Sequence, residues 1–240
     1  MLIKAAINGM RTRVEHPSIP ITPEQQALEA KAALQAGAGA IHVHIHGRDG
    51  KESLNPDDIG RSLKAIRSSC PDAPIGISTG AWIVPDLKKR LSQIKSWKKL
   101  PDFASVNMHE EGALQVAKLL LDRGVGVEAG ISNGKAAEAF VTSDISNKSL
   151  RVIIEPAEES LPDALAALEL IEAVLNRAKL KLPRLLHGEN ATAWEFVKIA
   201  AARGYDTRIG FEDVLTLPDG TYADGNASLI AAACQIASAV

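Results

Sequence analysis

Three histidines alternate with aliphatic residues in the stretch 41–46, which reads Ile-His-Val-His-Ile-His. Successive side chains of a β-strand point to opposite faces, so a strand here would place His42, His44 and His46 on one face. Neutral imidazoles two residues apart on one strand face can bind the same divalent metal through their ring nitrogens. The pattern therefore favours a metal site over hydrogen-bonded core histidines, which a single histidine would suggest.

Short apolar segments alternate with helical segments along the chain, and these elements must position the histidines. We predict strands near residues 2–8, 41–46, 74–79, 103–107, 124–128, 150–155, 184–187 and 206–210. We predict helices at residues 22–36, 55–69, 85–97, 113–123, 135–141, 161–178, 192–203 and 226–239. Strands that are apolar almost throughout are typical of a parallel sheet covered by helices. Eight such units predict an α/β fold, a (β/α)8 TIM barrel, in a single domain spanning residues 1–240.

The composition excludes several classes of function. The net charge is −2 and 23% of the residues are charged, so we expect no bulk attraction to nucleic acid or membrane surfaces. Cys70 and Cys234 form neither a metal-binding spacing nor a disulfide framework. The N-terminus does not resemble a signal peptide, and no apolar run reaches the roughly 18 residues of a membrane span. We expect a soluble, cytoplasmic protein.

Polar or titratable residues end nearly every predicted strand, and the carboxyl ends of the strands carry the active site in barrels of this kind. We therefore expect a concave polar pocket there. The residues concerned are Asn8, the three histidines, Ser78, Thr79, Asn107, His109, Glu128, Glu155, His187, Glu189, Arg208, Glu212 and Asp213. The sequence assigns no role to His109, Glu155, His187 or Glu189.

A catalytic zinc site commonly combines two histidines with one carboxylate and leaves a position open for water or substrate. Glu212 and Glu128 are the first candidates for that carboxylate. Arg208 lies close in sequence to Asp213, with which it could form an ion pair. Arg208 could instead bind a substrate carboxylate with two parallel hydrogen bonds.

Several of these motifs together resemble the β-keto acid cleavage enzymes, whose type member is 3-keto-5-aminohexanoate cleavage enzyme. Residues 36–44 resemble the family's Ala-Gly-Ala-x-x-x-His-x-His. Residues 208–213, Arg-Ile-Gly-Phe-Glu-Asp, with Leu-Pro-Asp-Gly at 217–220, resemble its Arg-x-Gly-x-Glu-Asp and the tail that follows. Pro-Ile-Thr-Pro-Glu at 20–24, Ser-Thr-Gly at 78–80 and Ala-Ser-Val-Asn at 104–107 also match, in the same order. The chain is short for the family, which places it in a short-chain subgroup.

The resemblance implies a barrel with one divalent metal, usually zinc, held by His42, His44 and Glu212. It implies that Arg208 and Asp213 activate the substrate. A further catalytic residue, Glu128, is expected in the pocket. The predicted substrate-binding residues are Ser78, Thr79, Asn107 and His46.

The family's reaction condenses a β-keto acid with an acyl-CoA, usually acetyl-CoA, and releases acetoacetate and a new CoA ester. The resemblance therefore implies a small-molecule β-keto acid and an acyl-CoA as partners. It also implies a homo-oligomer, a tetramer in the family. We expect neither nucleic acid nor membrane as a partner.

One departure from the family pattern affects the metal site. The family commonly carries arginine two residues after its second histidine, where this chain has His46. Shifting the register so that His44 and His46 are the ligands would restore that arginine as Arg48, but it breaks the spacing from Ala-Gly-Ala at 36–38. We therefore prefer His42 and His44 as ligands, with His46 in the pocket beside them.

Two other functions compete with β-keto acid cleavage. One is a zinc-dependent hydrolase or lyase on a barrel, although such enzymes use a His-x-His pair on the first strand rather than the second. The other is a barrel that binds a metal or a carboxylate ligand without catalysis. The short spacing of Arg208, Glu212 and Asp213 favours catalysis.

Overall fold

Eight strands form a closed, all-parallel barrel in the computed structural model, which describes residues 1–239. Each strand pairs with the next one along the chain, and the last pairs with the first. The predicted (β/α)8 TIM barrel is confirmed. The strands are β1 Ile3–Ala6, β2 Ala40–Val43, β3 Ile75–Ser78, β4 Phe103–Asn107, β5 Gly126–Ile131, β6 Arg151–Ile154, β7 Arg184–Leu186 and β8 Asp206–Ile209.

A helix follows each strand. The helices are α1 Pro23–Gln35, α2 Pro56–Ser69, α3 Leu87–Ser96, α4 Ala113–Asp122, α5 Gly134–Val141, α6 Leu161–Arg177, α7 Ala193–Arg203 and α8 Asn226–Ser238, with a short 3-10 helix, Asn190–Thr192, before α7. The predicted start of α1 is confirmed, because Thr22 and Gln25 form a reciprocal capping box. Within residues 1–239, no helix is long and apolar enough to cross a membrane.

The register of the sheet separates the histidines from their aliphatic neighbours. His42 faces the barrel interior in register with Gly76, while Ile41 and Val43 are fully buried on the opposite face. Gly76 makes room inside the barrel, since a Cβ there would lie 1.8 Å from a ring atom of Phe103. The Phe103 ring can therefore fill the interior next to the histidine strand.

A layer of charged side chains, two of them fully buried, lies deeper in the barrel. Lys4 Nζ is 2.6 Å from Glu128 Oε2, and Arg151 Nε is 3.2 Å from Glu128 Oε1. Arg151 Nη1 also donates to Asp206 Oδ2 at 3.1 Å, so these four side chains connect β1, β5, β6 and β8. Burial lowers the pKa of Lys4, and the neighbouring Glu128 opposes that shift.

Most strand bounds differ from the prediction by one to three residues, and two of these differences move candidate site residues. β2 ends at Val43 rather than at residue 46, because the side chain of Asn8 binds the backbone of His44 in place of a neighbouring strand. Asn8 Oδ1 accepts from the His44 N–H at 2.9 Å, and Asn8 Nδ2 donates to the His44 carbonyl at 2.8 Å. β5 continues to Ile131, so Glu128 lies inside the strand and not at its end.

Candidate metal centre and active-site cavity

A cavity of about 940 Å³ opens where the strands end. Its volume is in the range of small-molecule binding sites. The residues given a role from the sequence that line it are His42, His44, Ser78, Asn107, Arg208 and Glu212. The four strand-end residues left without a role also line it, namely His109, Glu155, His187 and Glu189. The sequence-derived expectation of a concave polar pocket is met at this end of the barrel.

His42, His44 and Glu212 come together on one wall of the cavity. Each offers one ligand atom, and these atoms all lie within 4.8 Å of one another. His42 Nε2 is 3.6 Å from Glu212 Oε2, and His44 Nε2 is 3.5 Å from Glu212 Oε1. Glu212 Oε2 is buried and has no hydrogen-bond partner within residues 1–239. Two imidazole nitrogens and one unsatisfied carboxylate oxygen fit a divalent metal of the zinc type.

The charges of these three residues depend on one another. Burial, opposed by Glu212, holds the pKa of His42 well below its usual range. Burial also lowers the pKa of His44, but Glu212 and Glu52 outweigh it and raise the value to about 9. Burial raises the pKa of Glu212, and Arg208 and the two histidines more than reverse that, so it stays well below its usual range. The Glu212 carboxylate is therefore ionised.

Gly9, three residues beyond the end of β1, leaves space for the Glu212 side chain. A Cβ at Gly9 would lie 2.4 Å from Glu212 Cγ, and the φ angle of +62° is in the left-handed region that favours glycine. The Glu212 N–H also donates to the Ala6 carbonyl at 3.1 Å, which ties the segment after β8 to β1. Backbone contacts between the first and last strands thus place Glu212 opposite the histidines.

Arg208 joins Glu212 to a second group of titratable residues. Its Nη2 donates to Glu212 Oε1 at 2.8 Å and to Asp213 Oδ1 at 2.7 Å, and its Nε donates to Asp213 Oδ1 at 3.1 Å. His187 Nδ1 is 3.4 Å from Asp213 Oδ1, and His187 Nε2 is 3.3 Å from Glu155 Oε2. Burial and Arg208 lower the pKa of His187, but Asp213 and Glu155 outweigh them and raise it.

The predicted substrate-binding residues divide into two pairs. Ser78 and Asn107 line the cavity. Thr79 does not, because its hydroxyl is buried and donates to the Ser105 carbonyl at 2.7 Å. His46 does not line it either, which corrects the expectation that all three histidines share one pocket. β2 stops before His46, and this residue lines a separate cavity of about 590 Å³ beside the start of α1.

Glu128 lies below the cavity rather than in it. Its side chain is fully buried between Lys4 and Arg151 and is not among the residues that line the cavity. The expectation of a pocket carboxylate at the end of β5 is corrected, because the strand continues three residues beyond Glu128, to Ile131. Glu212, not Glu128, is the carboxylate beside the histidines.

Several residues that line the cavity stand at positions that no sequence pattern marks. Trp82 belongs to the loop after β3, and Ser105 lies inside β4, so neither stands at a strand end. Ser132 follows β5, and its hydroxyl lies 3.2 Å from His109 Nδ1. The correct end of β5 would have pointed to Ser132. No spacing rule points to Trp82, whose ring reaches the cavity from a loop.

The matches to known proteins decide the family. The profile of the beta-keto acid cleavage enzymes matches residues 1–113 and 152–240.

The chain belongs to the β-keto acid cleavage enzyme family.

The matched regions of this family member contain the two histidines, Arg208, Glu212 and Asp213. Glu128 and Ser132 fall in the unmatched segment between them.

Individual proteins show the same relationship. The chain is 24% identical to 3-keto-5-aminohexanoate cleavage enzyme of Fusobacterium nucleatum over 255 residues, which covers 99% of this chain and 91% of that protein. It is 36% identical to 3-oxoadipate:acetyl-CoA acetyltransferase of Cupriavidus necator over 80 residues, 33% of this chain and 28% of that one. The solved structure of ObcA with oxaloacetate shares the fold, with a TM-score of 0.73 at 17% identity. That match covers 91% of this chain, which spans 63% of the ObcA chain.

Proposed function

We propose that this protein cleaves a β-keto acid by condensing it with acetyl-CoA or a related acyl-CoA, releasing acetoacetate and a new CoA ester. Membership of the family supports this function. The names of the relatives from Fusobacterium nucleatum and Cupriavidus necator support the two substrates, a β-keto acid and acetyl-CoA. The observation that carries the proposal is the convergence of His42, His44 and Glu212 with Arg208 in one cavity.

The residues on the metal-binding wall would hold the keto group. A divalent metal bound by His42, His44 and Glu212, for which we propose zinc, would act as a Lewis acid on the keto oxygen of the substrate. With the metal bound, the two imidazoles would be neutral donors, His44 having released a proton, and Glu212 would supply one negative charge. The cavity leaves space beside them for a bound oxygen.

Arg208 would bind the carboxylate of the β-keto acid. Its Nε and Nη2 are engaged by Asp213 and Glu212, while Nη1 makes no hydrogen bond to any of residues 1–239. Asp213 fixes the plane of the guanidinium, so Nη1 can meet a substrate carboxylate without a further loss of side-chain freedom. We therefore propose Arg208 as a catalytic residue and Asp213 as the residue that positions it.

Ser78 and Asn107 would contact the substrate from the side of β3 and β4. Both are uncharged, and Asn107 is oriented by the hydrogen bond from its Nδ2 to Glu110 Oε1 at 2.9 Å. Neutral donors suit the polar but uncharged part of a keto acid. We assign no substrate contact to Thr79, His46 or Glu128, whose side chains do not line the cavity.

Three broader expectations remain proposals. We propose that the chain is a single domain, that it forms a homo-oligomer, and that it acts in the cytoplasm. Light scattering of the purified protein tests the second, since a monomer at micromolar concentration would contradict it.

The function is tested with a panel of β-keto acids whose far ends are cationic, neutral or anionic, each with and without acetyl-CoA. We expect acetoacetate and the matching CoA ester from at least one acid, only when acetyl-CoA is present, and a loss of both products in Arg208→Ala. Metal content is measured on the same preparations. A metal-loaded protein that turns over no β-keto acid with any acyl-CoA would contradict the proposal. Release of products without CoA would indicate a hydrolase or lyase instead.

A further inference from the structure

The two histidines of the candidate metal centre have different partners on their far ring nitrogens. His44 Nδ1 lies 2.5 Å from Glu52 Oε1. Within residues 1–239, the one hydrogen-bond partner of His42 Nδ1 is the Ser105 hydroxyl, at 3.5 Å. A carboxylate is a much stronger hydrogen-bond acceptor than a distant hydroxyl. His44 is therefore held and polarised from behind, whereas His42 is not.

The loop between β2 and α2 brings Glu52 to His44. This loop folds back on itself as a short antiparallel bridge between His46 and Glu52. The Gly47 N–H donates to the Lys51 carbonyl at 2.8 Å, and the Ser53 N–H donates to the Ile45 carbonyl at 2.8 Å. The backbone of residue 46 therefore helps to fix the position of Glu52, which is a structural role.

Trp82 holds the other oxygen of the same carboxylate. Its indole Nε1 donates to Glu52 Oε2 at 2.8 Å, and its ring stacks on that of His44 at 24° with 6.1 Å between centroids. Gly80 permits this arrangement, because a Cβ there would lie 2.2 Å from Trp82 Cη2. Trp82 is 42% exposed and lines the cavity, so its ring belongs to the wall beside His44.

We propose that Glu52 is a positioning residue of the metal centre, with Trp82 acting through it. Glu52 accepts a hydrogen bond from the Nδ1–H of His44, which leaves Nε2, 3.5 Å from Glu212 Oε1, to bind the metal through its lone pair. A carboxylate behind a ligating histidine selects its tautomer, fixes its ring and strengthens its donor nitrogen. The inference rests on the proposed metal site, but not on the identity of the keto acid.

The test is the affinity for Zn²⁺ and Co²⁺, measured by competition with a chromogenic chelator on purified full-length protein. We expect Glu52→Ala to weaken metal binding by about 10- to 100-fold, the usual effect of removing such a partner. We expect a smaller loss in Trp82→Phe, which keeps the stacked ring and removes only the N–H. Ser105→Ala is the matched control behind His42, and we expect it to change the affinity by less than about 3-fold, since its contact is long.

The double variant decides whether Trp82 acts through Glu52. If it does, Trp82→Phe adds nothing in a Glu52→Ala background, so the two losses are not additive. Wild-type metal affinity in Glu52→Ala, or no divalent metal binding by the wild-type protein, would overturn the inference. Should Glu52→Ala fail to fold, Glu52→Gln gives the answer, because it keeps the shape and removes the charge. Weaker metal binding in a protein that turns over no keto acid would leave the inference standing and refute the proposed function.

Discussion

The Glu212 carboxylate contacts both the Arg208 guanidinium and the two histidines. Its Oε1 accepts from Arg208 Nη2, while Oε2 has no partner within residues 1–239 and faces His42. A metal would occupy the unsatisfied side of the carboxylate. Arg208 keeps the carboxylate ionised from the other side, so the ligand is ready at neutral pH.

Replacing either histidine should release the metal. In His42→Ala and in His44→Ala we expect metal content to fall from stoichiometric to near zero, because only one imidazole and one carboxylate would remain. Atomic emission on dialysed protein measures this. His46→Ala is the control. We expect this variant to retain its metal, because His46 lies in the other cavity. Stoichiometric metal in both single variants would place the metal elsewhere.

Removing Arg208 should affect turnover much more than metal content. We expect Arg208→Ala to lower kcat/KM by at least ~100-fold, the scale of one charged transition-state contact. Metal content should stay close to wild type, because Glu212 loses a competing partner and no ligand. Steady-state kinetics with the best keto acid, together with metal analysis, measures both. Near wild-type kinetics would reduce Arg208 to a structural ion pair.

At the scale of elements, glycines at strand and loop positions decide which side chains reach the interior. Gly9 admits Glu212, Gly76 admits the Phe103 ring, and Gly80 admits Trp82. Gly76 lies in β3, while Gly80 and Gly9 follow the ends of β3 and β1 by two and three residues. Packing requires glycine at these three positions, because another side chain already occupies the space that a Cβ would need.

Gly76→Ala in β3 should destabilise the barrel. The added Cβ would lie 1.8 Å from the Phe103 ring, so the ring or the strand must move, and we expect a loss of about 1–3 kcal/mol in the free energy of unfolding. Gly60→Ala in α2 is the matched control. Its nearest neighbour would be 3.9 Å away, and alanine favours the helix, so stability should be unchanged or rise by up to about 1 kcal/mol. Urea denaturation measures both, and equal effects would contradict the packing argument.

At the scale of the whole molecule, two polar networks close the barrel below and beside the cavity. The layer of Lys4, Glu128, Arg151 and Asp206 connects four strands through the interior. Asn226, at the start of α8, accepts from the Phe211 N–H at 2.8 Å and donates to the Ile7 carbonyl at 3.0 Å. The start of α8 thus ties together the segments that follow β1 and β8, and Glu212 lies in the second of them.

Glu128 should matter for stability and not for the metal. We expect Glu128→Gln to cost about 3–5 kcal/mol of unfolding free energy, because Lys4 loses its ionised partner in the interior. A Lys4→Met, Glu128→Met double variant should recover part of that loss, since it leaves no buried charge of this pair unpaired. Metal content should stay stoichiometric in both. A stable Glu128→Gln variant without activity would return Glu128 to the catalytic residues.

The sequence alone was sufficient to predict the barrel, because each β/α unit carries its own local pattern of apolar strand, capped helix and glycine. It was also sufficient for the short-range groups. His42 and His44 are two residues apart, and Arg208, Glu212 and Asp213 share one six-residue segment, so local geometry nearly places them together. The family motif linked the two segments.

Tertiary structure decided what depends on contacts between distant segments. The end of β2 follows from Asn8, which binds the backbone of His44 from another strand, and this moves His46 out of the cavity. The burial of Glu128 depends on Lys4, which is 124 residues away in the sequence. Glu52 and Trp82 meet at His44 only because two loops cross there, at a separation of 30 residues. No local periodicity encodes such contacts, since their formation depends on how the closed barrel brings remote chain segments to one point.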